Sequence, residues 1–185
     1  MRRDGPMRVI AGVARGVPLT APRDRGVRPI TDRVKETLFG ILGERVVDAR
    51  VLDLYAGSGA IGIEALSRGA AHATFVDHAR PAVAAIRDNL ARTRLGASAE
   101  VQAGDVMRWL ASAPGTVRYD LAFLDPPYEE RAILAPLERL VPLLAPRATV
   151  VVKHFWRTEV PPVEALRPWR QRRFGETALT FMEVP

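Results

Sequence analysis

Three glycines with the spacing of a nucleotide-binding turn stand directly after an apolar run, in the stretch DLYAGSGAIG (53–62). They are Gly57, Gly59 and Gly62, and Asp77 follows twenty residues after the first of them. Glycine permits a tight turn and a close approach of a ligand to the backbone, and a carboxylate at that distance can accept both hydroxyl groups of a ribose. The spacing therefore predicts a ligand that contains a nucleoside, without separating a dinucleotide from other adenosine cofactors.

A second motif, DPPY (125–128), also follows an apolar run. Its prolines fix φ near about −65° and remove amide donors, which leaves a stiff loop rich in acceptors. The carboxylate of Asp125 and the carbonyl of Pro126 can then accept the hydrogens of a planar NH2 group, and Tyr128 can stack on the ring that bears it. Stacking on a base contributes about 1–3 kcal/mol. A base amine about to be methylated needs such a clamp and a nicotinamide does not, so the loop favours S-adenosylmethionine over a dinucleotide.

Three further residues after predicted strands could complete an adenosine site. Asp105 can accept a hydrogen bond from the adenine amino group while Val106 offers its backbone amide to a ring nitrogen, and His78 could form a wall beside the ring. Asp105 would serve equally well as the N-cap of the next helix, and His78 as a solvated loop residue. Both alternatives remain open at the level of the sequence.

The elements that must position these residues alternate between strand and helix from residue 50 onward. Such alternation predicts an α/β, Rossmann-like fold, a mostly parallel sheet with helices on both faces and ligands beyond the carboxyl ends of the strands. We expect the prolines at 136 and 142 to kink or break the last helix. Strands are predicted at 50–55, 72–77, 99–104, 119–125 and 148–154, with two more inside 170–184, the last antiparallel, and helices at 30–43, 60–69, 80–96, 105–112 and 130–146.

Positive charge is concentrated at the N-terminus. Residues 1–33 contain eight Arg and three Asp and so carry +5 of the net charge of +6. The guanidinium group binds two phosphate oxygens at once, which favours nucleic acid as the partner of this segment. We predict a β-hairpin over 7–22 followed by an extended loop. Residues 1–30 would form an RNA-binding extension that takes no part in the cofactor pocket, and residues 31–185 the catalytic domain.

Other classes of protein are excluded by what the sequence lacks. Without cysteine, neither a disulfide nor a thiolate metal site can form. No window approaches the ~18 consecutive apolar residues of a membrane span, and the basic N-terminus lacks the apolar stretch of a signal peptide. We expect a soluble, cytoplasmic, monomeric protein that binds no metal.

Three blocks of sequence together resemble one family, the RsmD family of bacterial 16S rRNA guanine-N2 methyltransferases, which have the class I, S-adenosylmethionine-dependent fold. The blocks are RPITDRVKETLFGIL (28–42), LDLYAGSGAIGIEALSRGA (52–70) and FLDPPY (123–128). The DPPY motif is shared with DNA adenine methylases, whereas the helix at 28–42 is more specific to the family. The resemblance extends from about residue 7 to the C-terminus, although 150–169 matches nothing that we can assign.

The resemblance implies methyl transfer from S-adenosylmethionine to the exocyclic N2 amine of a guanine in 16S rRNA of the small ribosomal subunit. A methyltransferase of other RNA or DNA base amines remains the alternative, followed by a nicotinamide-dependent oxidoreductase. The implied cofactor residues are Asp53, which would lie near the ammonium group, Tyr55, Ala56, Gly57, Ser58, Gly59, Asp77, His78, Asp105 and Val106. The guanine amine would be held by Asp125, Pro126, Pro127 and Tyr128, and the RNA by Arg8, Arg15, Arg23, Arg28, Thr31 and Arg33.

Overall fold

One seven-stranded sheet organises the protein, whose computed structural model describes residues 7–22, 30–126 and 131–185. Within these residues the strand order is β3-β2-β1-β4-β5-β7-β6, and β7 alone runs opposite to the other six strands. This confirms the predicted fold class and places the reversal of strand order between β1 and β4. The strands are β1 (Arg50–Leu54), β2 (His72–Asp77), β3 (Ala99–Ala103), β4 (Tyr119–Leu124), β5 (Leu144–Phe155), β6 (Arg167–Phe174) and β7 (Thr177–Glu183).

In the described part of the chain, five α-helices cover the two faces of the sheet. They are α1 (Asp32–Leu42), α2 (Ala60–Ser67), α3 (Arg80–Thr93), α4 (Val106–Ser112) and α5 (Arg131–Leu140). Alternate strand residues face two separate apolar cores, one shared with α1, α2 and α3 and the other with α4 and α5. Across the part of the chain that is described, no helix is both long and apolar enough to span a membrane.

Local sequence signals set most of the helix ends. Thr31 caps α1, with its side-chain oxygen accepting from the backbone N–H of Val34 at 3.4 Å. Pro136 is accommodated inside α5, which ends at Leu140 before a short 3₁₀ turn that contains Pro142. The predicted end of α3 at residue 96 is wrong, because Arg94 adopts left-handed backbone angles (φ 58°) and ends the helix earlier.

Residues 7–22 form only the rudiment of the predicted hairpin, a single antiparallel bridge between Arg8 and Pro18. The segment packs against α1 and α2, where Val9 and Leu19 are buried in their core. At Gly12 (φ 85°), a Cβ atom would lie 1.7 Å from the carbonyl oxygen of Ser67, so no larger residue fits. The N-terminal segment is therefore built into the core of the domain.

A buried ion pair fastens this segment to both helices. The ammonium group of Lys35 in α1 lies 3.6 Å from the carboxylate of Glu64 in α2, and it donates to the backbone carbonyl of Arg8. Glu64 also accepts from the backbone amides of Ile10 and Ala11, at 2.8 and 3.0 Å. Burial lowers the pKa of Lys35, and the Glu64 carboxylate opposes this effect. A buried charge without its partner is strongly destabilising, so the pair fixes the relative position of the three elements.

Candidate active site

A cavity opens at the carboxyl ends of β1 and β4, where the strand order reverses. Its volume is about 520 Å³ including the open mouth. In α/β sheets of this kind the reversal point is the usual ligand site. The cavity thus collects residues from both of the motifs that the sequence singled out. It is lined by Ala21, Pro22, Ile30, Asp53, Tyr55, Ala56, Gly57, Ser58, Ala60, Ile61 and Asp125.

The glycine turn after β1 is sharp because several of its residues have positive φ, including Gly57 (57°) and Gly59 (73°). Gly59 directly precedes α2. Gly62 has a different role, since a Cβ there would lie 2.3 Å from the ring of Phe75 on β2. The third glycine of the motif therefore lets α2 pack closely on the sheet. Gly57 lines the cavity, whereas a Cβ at Gly59 would meet side chains of the core at 3.2–3.4 Å.

Asp77, at the end of β2, holds the glycine turn in place. Its carboxylate accepts from the backbone amides of Gly57 and Ala79, each at 2.9 Å. Each carboxylate oxygen retains further lone pairs, so the predicted contact with a ribose is compatible with this arrangement. His78 beside it projects into solvent, with a side chain that is 73 % exposed.

At Asp105 the structure realises the capping alternative. Its carboxylate accepts from the backbone amide of Arg108 at 2.9 Å and so caps α4, and Val106 is buried in the first turn. A cap uses only part of the acceptor capacity of a carboxylate, so the contact with adenine stays a prediction.

Asp53 is a buried carboxyl in the wall of the cavity. Its side chain accepts from the backbone amide of Gly62 at 3.0 Å. Burial raises the pKa of Asp53 to about 8. The hydrogen bond from the Gly62 amide lowers this pKa, and the nearby Asp125 and Asp77 raise it. A positive charge in the cavity would reverse this effect by favouring the ionised form. The wall is thus suited to a cationic ligand group.

Asp125 has a partner that the sequence analysis missed. The ammonium group of Lys153 on β5 donates to the Asp125 carboxylate at 2.5 Å. Burial raises the pKa of Asp125, and Lys153 opposes that rise. The available signal was compositional, since Lys153 is one of only two lysines in a chain rich in arginine. The pair supplies an acceptor carboxylate at the mouth of the cavity.

Asn89, in the middle of α3, is a second residue that the sequence analysis missed. It is fully buried, donates to the carbonyls of Thr20 and Ser58, and accepts from the backbone amide of Thr20, at 2.7–2.9 Å. It therefore joins the N-terminal segment to the glycine turn. Because Ala21 and Pro22 also line the cavity, the expectation that the N-terminal segment takes no part in the pocket is wrong.

Three of the residues predicted to bind RNA, Arg8, Thr31 and Arg33, lie near the start of α1. Arg8 forms an ion pair with Asp32 at 3.1 Å, and Arg15 and Arg33 are exposed. Thr31 is occupied as the cap of α1. Pro126 is buried directly after Asp125. Four predicted site residues lie outside the described ranges, namely Arg23, Arg28, Pro127 and Tyr128.

The strand order, the reversed strand β7 and the glycine turn after β1 define a class I methyltransferase fold. The family model described as Conserved hypothetical protein 95 matches residues 7–183. Over 164 residues the chain is 40 % identical to Ribosomal RNA small subunit methyltransferase D of Escherichia coli (strain K12), covering 87 % of this chain and 81 % of that protein. The chain belongs to this family, the RsmD family of methyltransferases.

Solved structures agree with this assignment. The yhhF protein of Escherichia coli superimposes with a TM-score of 0.86 at 35 % identity, covering 97 % of this chain and 98 % of that one. A protein of Thermus thermophilus gives a TM-score of 0.80 at 34 % identity, covering 96 % of this chain and 99 % of that one. The similarity therefore includes nearly the whole chain.

Proposed function

We propose that the protein transfers a methyl group from S-adenosylmethionine to the exocyclic N2 amine of a guanine in 16S rRNA of the small ribosomal subunit. The observation that carries this proposal is the side chain of Asp125, which Lys153 holds by a hydrogen bond in the wall of the same cavity that the glycine turn lines. The Escherichia coli relative, a small subunit rRNA methyltransferase, supports the choice of substrate. The protein would act in the cytoplasm as a monomer.

The cavity fits the proposed cofactor on chemical grounds. Asp53 is nearly fully buried and has a pKa raised to about 8. A nearby cation, such as the ammonium group of a methionine moiety, would stabilise its ionised form and be bound by it. The backbone of Ala56, Gly57 and Ser58 would lie along that moiety. Asp77 would accept from the ribose, Asp105 and Val106 would bind the adenine, and His78 would stand beside it.

Asp125 would activate the amine by accepting a hydrogen bond. The lone pair of a guanine N2 is delocalised into the ring, so N2 is a poor nucleophile until its N–H groups are held out of the ring plane. The Asp125 carboxylate would accept from one N–H and the carbonyl of Pro126 from the other. Positioning of the reacting groups can lower an activation barrier by ~7–11 kcal/mol, and alignment of this kind would supply part of that reduction. From the sequence, Pro127 would stiffen the loop and Tyr128 would stack on the base.

The proton chemistry follows from the Lys153–Asp125 pair. When bound, S-adenosylmethionine supplies a methyl group on a sulfonium, whose charge disappears on transfer. The methylated amine then carries the positive charge and is strongly acidic, so it releases a proton to Asp125 or to water. Lys153 opposes the rise in the pKa of Asp125 and so favours the ionised form of this carboxyl group, which is the form that accepts from the amine.

The experiment that tests the proposal measures transfer from tritiated S-adenosylmethionine to small subunits that lack the modification, naked 16S rRNA and DNA in parallel. We expect label in guanine N2 of 16S rRNA, and none in DNA. Asp125→Ala should abolish transfer and leave the affinity for S-adenosylhomocysteine nearly unchanged, because the carboxylate is assigned to the amine.

Asp88→Ala is the matched control, since Asp88 is exposed on α3 and its partners among the described residues, Arg92 and Thr20, are exposed as well. It should retain full activity. Tighter binding of NAD than of S-adenosylhomocysteine in calorimetry, or label appearing only in DNA, would contradict the proposal.

A further inference from the structure

The exposed edge of the sheet carries an unusual charge. Strand β6 (Arg167–Phe174) has β7 as its one neighbour in the sheet order, and its sequence RPWRQRRF contains four arginines and no acidic residue. All four of these arginines are exposed. The family resemblance gave this part of the chain no role. The edge strand is therefore a concentrated basic surface outside the site already described.

The strand register connects this surface to the active site. Arg172 lies opposite Leu179 on β7, which lies opposite Lys153 on β5. Residues directly opposite one another point to the same face of a sheet. Arg172 therefore shares a face with Lys153, the partner of Asp125, and stands about three strand spacings, roughly 14 Å, from the backbone of Asp125. Arg170 lies two residues along the same face, opposite Phe181.

Arg170 and Arg172 also leave most of their guanidinium donors unpaired within the described residues. Neither forms an ion pair with another described residue, and Arg172 makes a single long bond to the carbonyl of Gln171 at 3.3 Å. Arg173 differs, because its guanidinium lies 3.5 Å from the ring of Trp156 and donates to the carbonyl of Gly175. Two guanidinium groups that form no ion pair with a described residue thus lie on the same face of the sheet as Lys153, the partner of Asp125.

We propose that Arg170 and Arg172 form a second RNA-binding surface, which holds phosphates of the nucleotides that flank the target base. This inference rests on the proposed function, since it assumes an RNA substrate entering at Asp125. The planar guanidinium binds phosphate oxygens bidentately, and phosphate contacts position a nucleic acid without reading its sequence. Such contacts at the edge strand would position the nucleotides that flank the guanine.

Protection of the sheet edge is the competing explanation. Charged side chains on an edge strand prevent pairing with other chains, and Lys is the residue most used for this. Protection requires charged side chains on the edge strand. It does not require that all the charges be positive, that the residues be arginine, or that they share a face with Lys153. It also predicts that removing the charges promotes aggregation and leaves RNA binding intact.

The test uses the full chain with Arg170→Gln and Arg172→Gln combined, and an unmodified 16S rRNA transcript as the probe. The matched control combines Arg87→Gln on α3 with Arg118→Gln before β4, because both are exposed and the change in net charge is the same. Affinity for the transcript is measured from about 50 to 300 mM salt. Two lost phosphate contacts should reduce the slope of log K against log salt by about 1.4–1.8.

In methyl transfer, the double β6 variant should raise the KM for RNA, with kcat and the affinity for S-adenosylhomocysteine unchanged. The control should match the wild type in every measurement. An unchanged salt slope, or an equal reduction in the control, would overturn the inference. Failure of the proposed function would look different, because the wild-type protein itself would then label no guanine.

Discussion

Lys153→Met tests most directly how the site keeps an acidic residue available as a hydrogen-bond acceptor. Burial raises the pKa of Asp125 above its ordinary value and Lys153 opposes that rise, so removing the ammonium group must raise the pKa further. A larger fraction of Asp125 is then protonated near neutral pH, and a protonated carboxyl cannot accept from the amine in the same way. The acid limb of the pH–rate profile should therefore move to higher pH.

The expected size follows from the geometry of the pair. The bond of 2.5 Å is charge-assisted, and such bonds contribute about 1.5–3 kcal/mol. Because the Asp125 side chain is 35 % exposed, solvent screens the pair and the lower end of that range applies. A loss of about 1.5 kcal/mol from this interaction moves the acid limb by about one pH unit and lowers kcat by up to about tenfold on that limb.

The assay is kcat for methyl transfer to the RNA substrate between about pH 5 and pH 9, with cofactor affinity measured by calorimetry. Activity lost in Lys153→Met should return in part as pH rises. Lys153→Arg retains the positive charge and should keep the position of the acid limb. A profile of unchanged shape, lowered equally at every pH, would refute the reasoning and leave Lys153 with a purely structural role.

Three further changes test other parts of the site. Asp77→Ala should weaken binding of S-adenosylhomocysteine by about tenfold or more in calorimetry, since it removes a charge-assisted acceptor from the Gly57 amide; an unchanged Kd would reduce Asp77 to a strand-end cap. Asp53→Asn should raise the Tm of the cofactor-free protein more at about pH 8 than at about pH 5, because a pKa raised to about 8 makes the wild type lose stability as pH rises from the ordinary Asp value. An equal gain at both pH values would contradict this. Gly12→Ala should lower the Tm far more than Gly16→Ala, because both have φ near 85° (85° and 84°) but only the Gly12 Cβ would meet the carbonyl of Ser67; similar losses would show that the segment is not docked there.

Features that depend on neighbouring residues could be predicted from the sequence. The alternation of strands and helices indicated the fold class. Strands buried in a parallel sheet are continuous apolar runs, whereas the helices that cover it have an amphipathic pattern, so the two can be told apart in the sequence. Thr31 as the cap of α1 and the sharp turn at Gly57 and Gly59 were likewise local consequences of side-chain chemistry and backbone freedom. Asp125 could be singled out because it ends a strand and is followed by prolines.

Contacts between residues that are distant in the chain required the folded structure. Lys153 meets Asp125 because β5 pairs with β4, and Asn89 meets Ser58 because α3 packs beside the glycine turn. The alignment of Arg172 with Lys153 depends on the antiparallel register of β6, β7 and β5, in which a shift by one residue would turn the guanidinium to the other face. Local propensities carry no information about which strands become neighbours or in which register, and packing of the whole chain sets both.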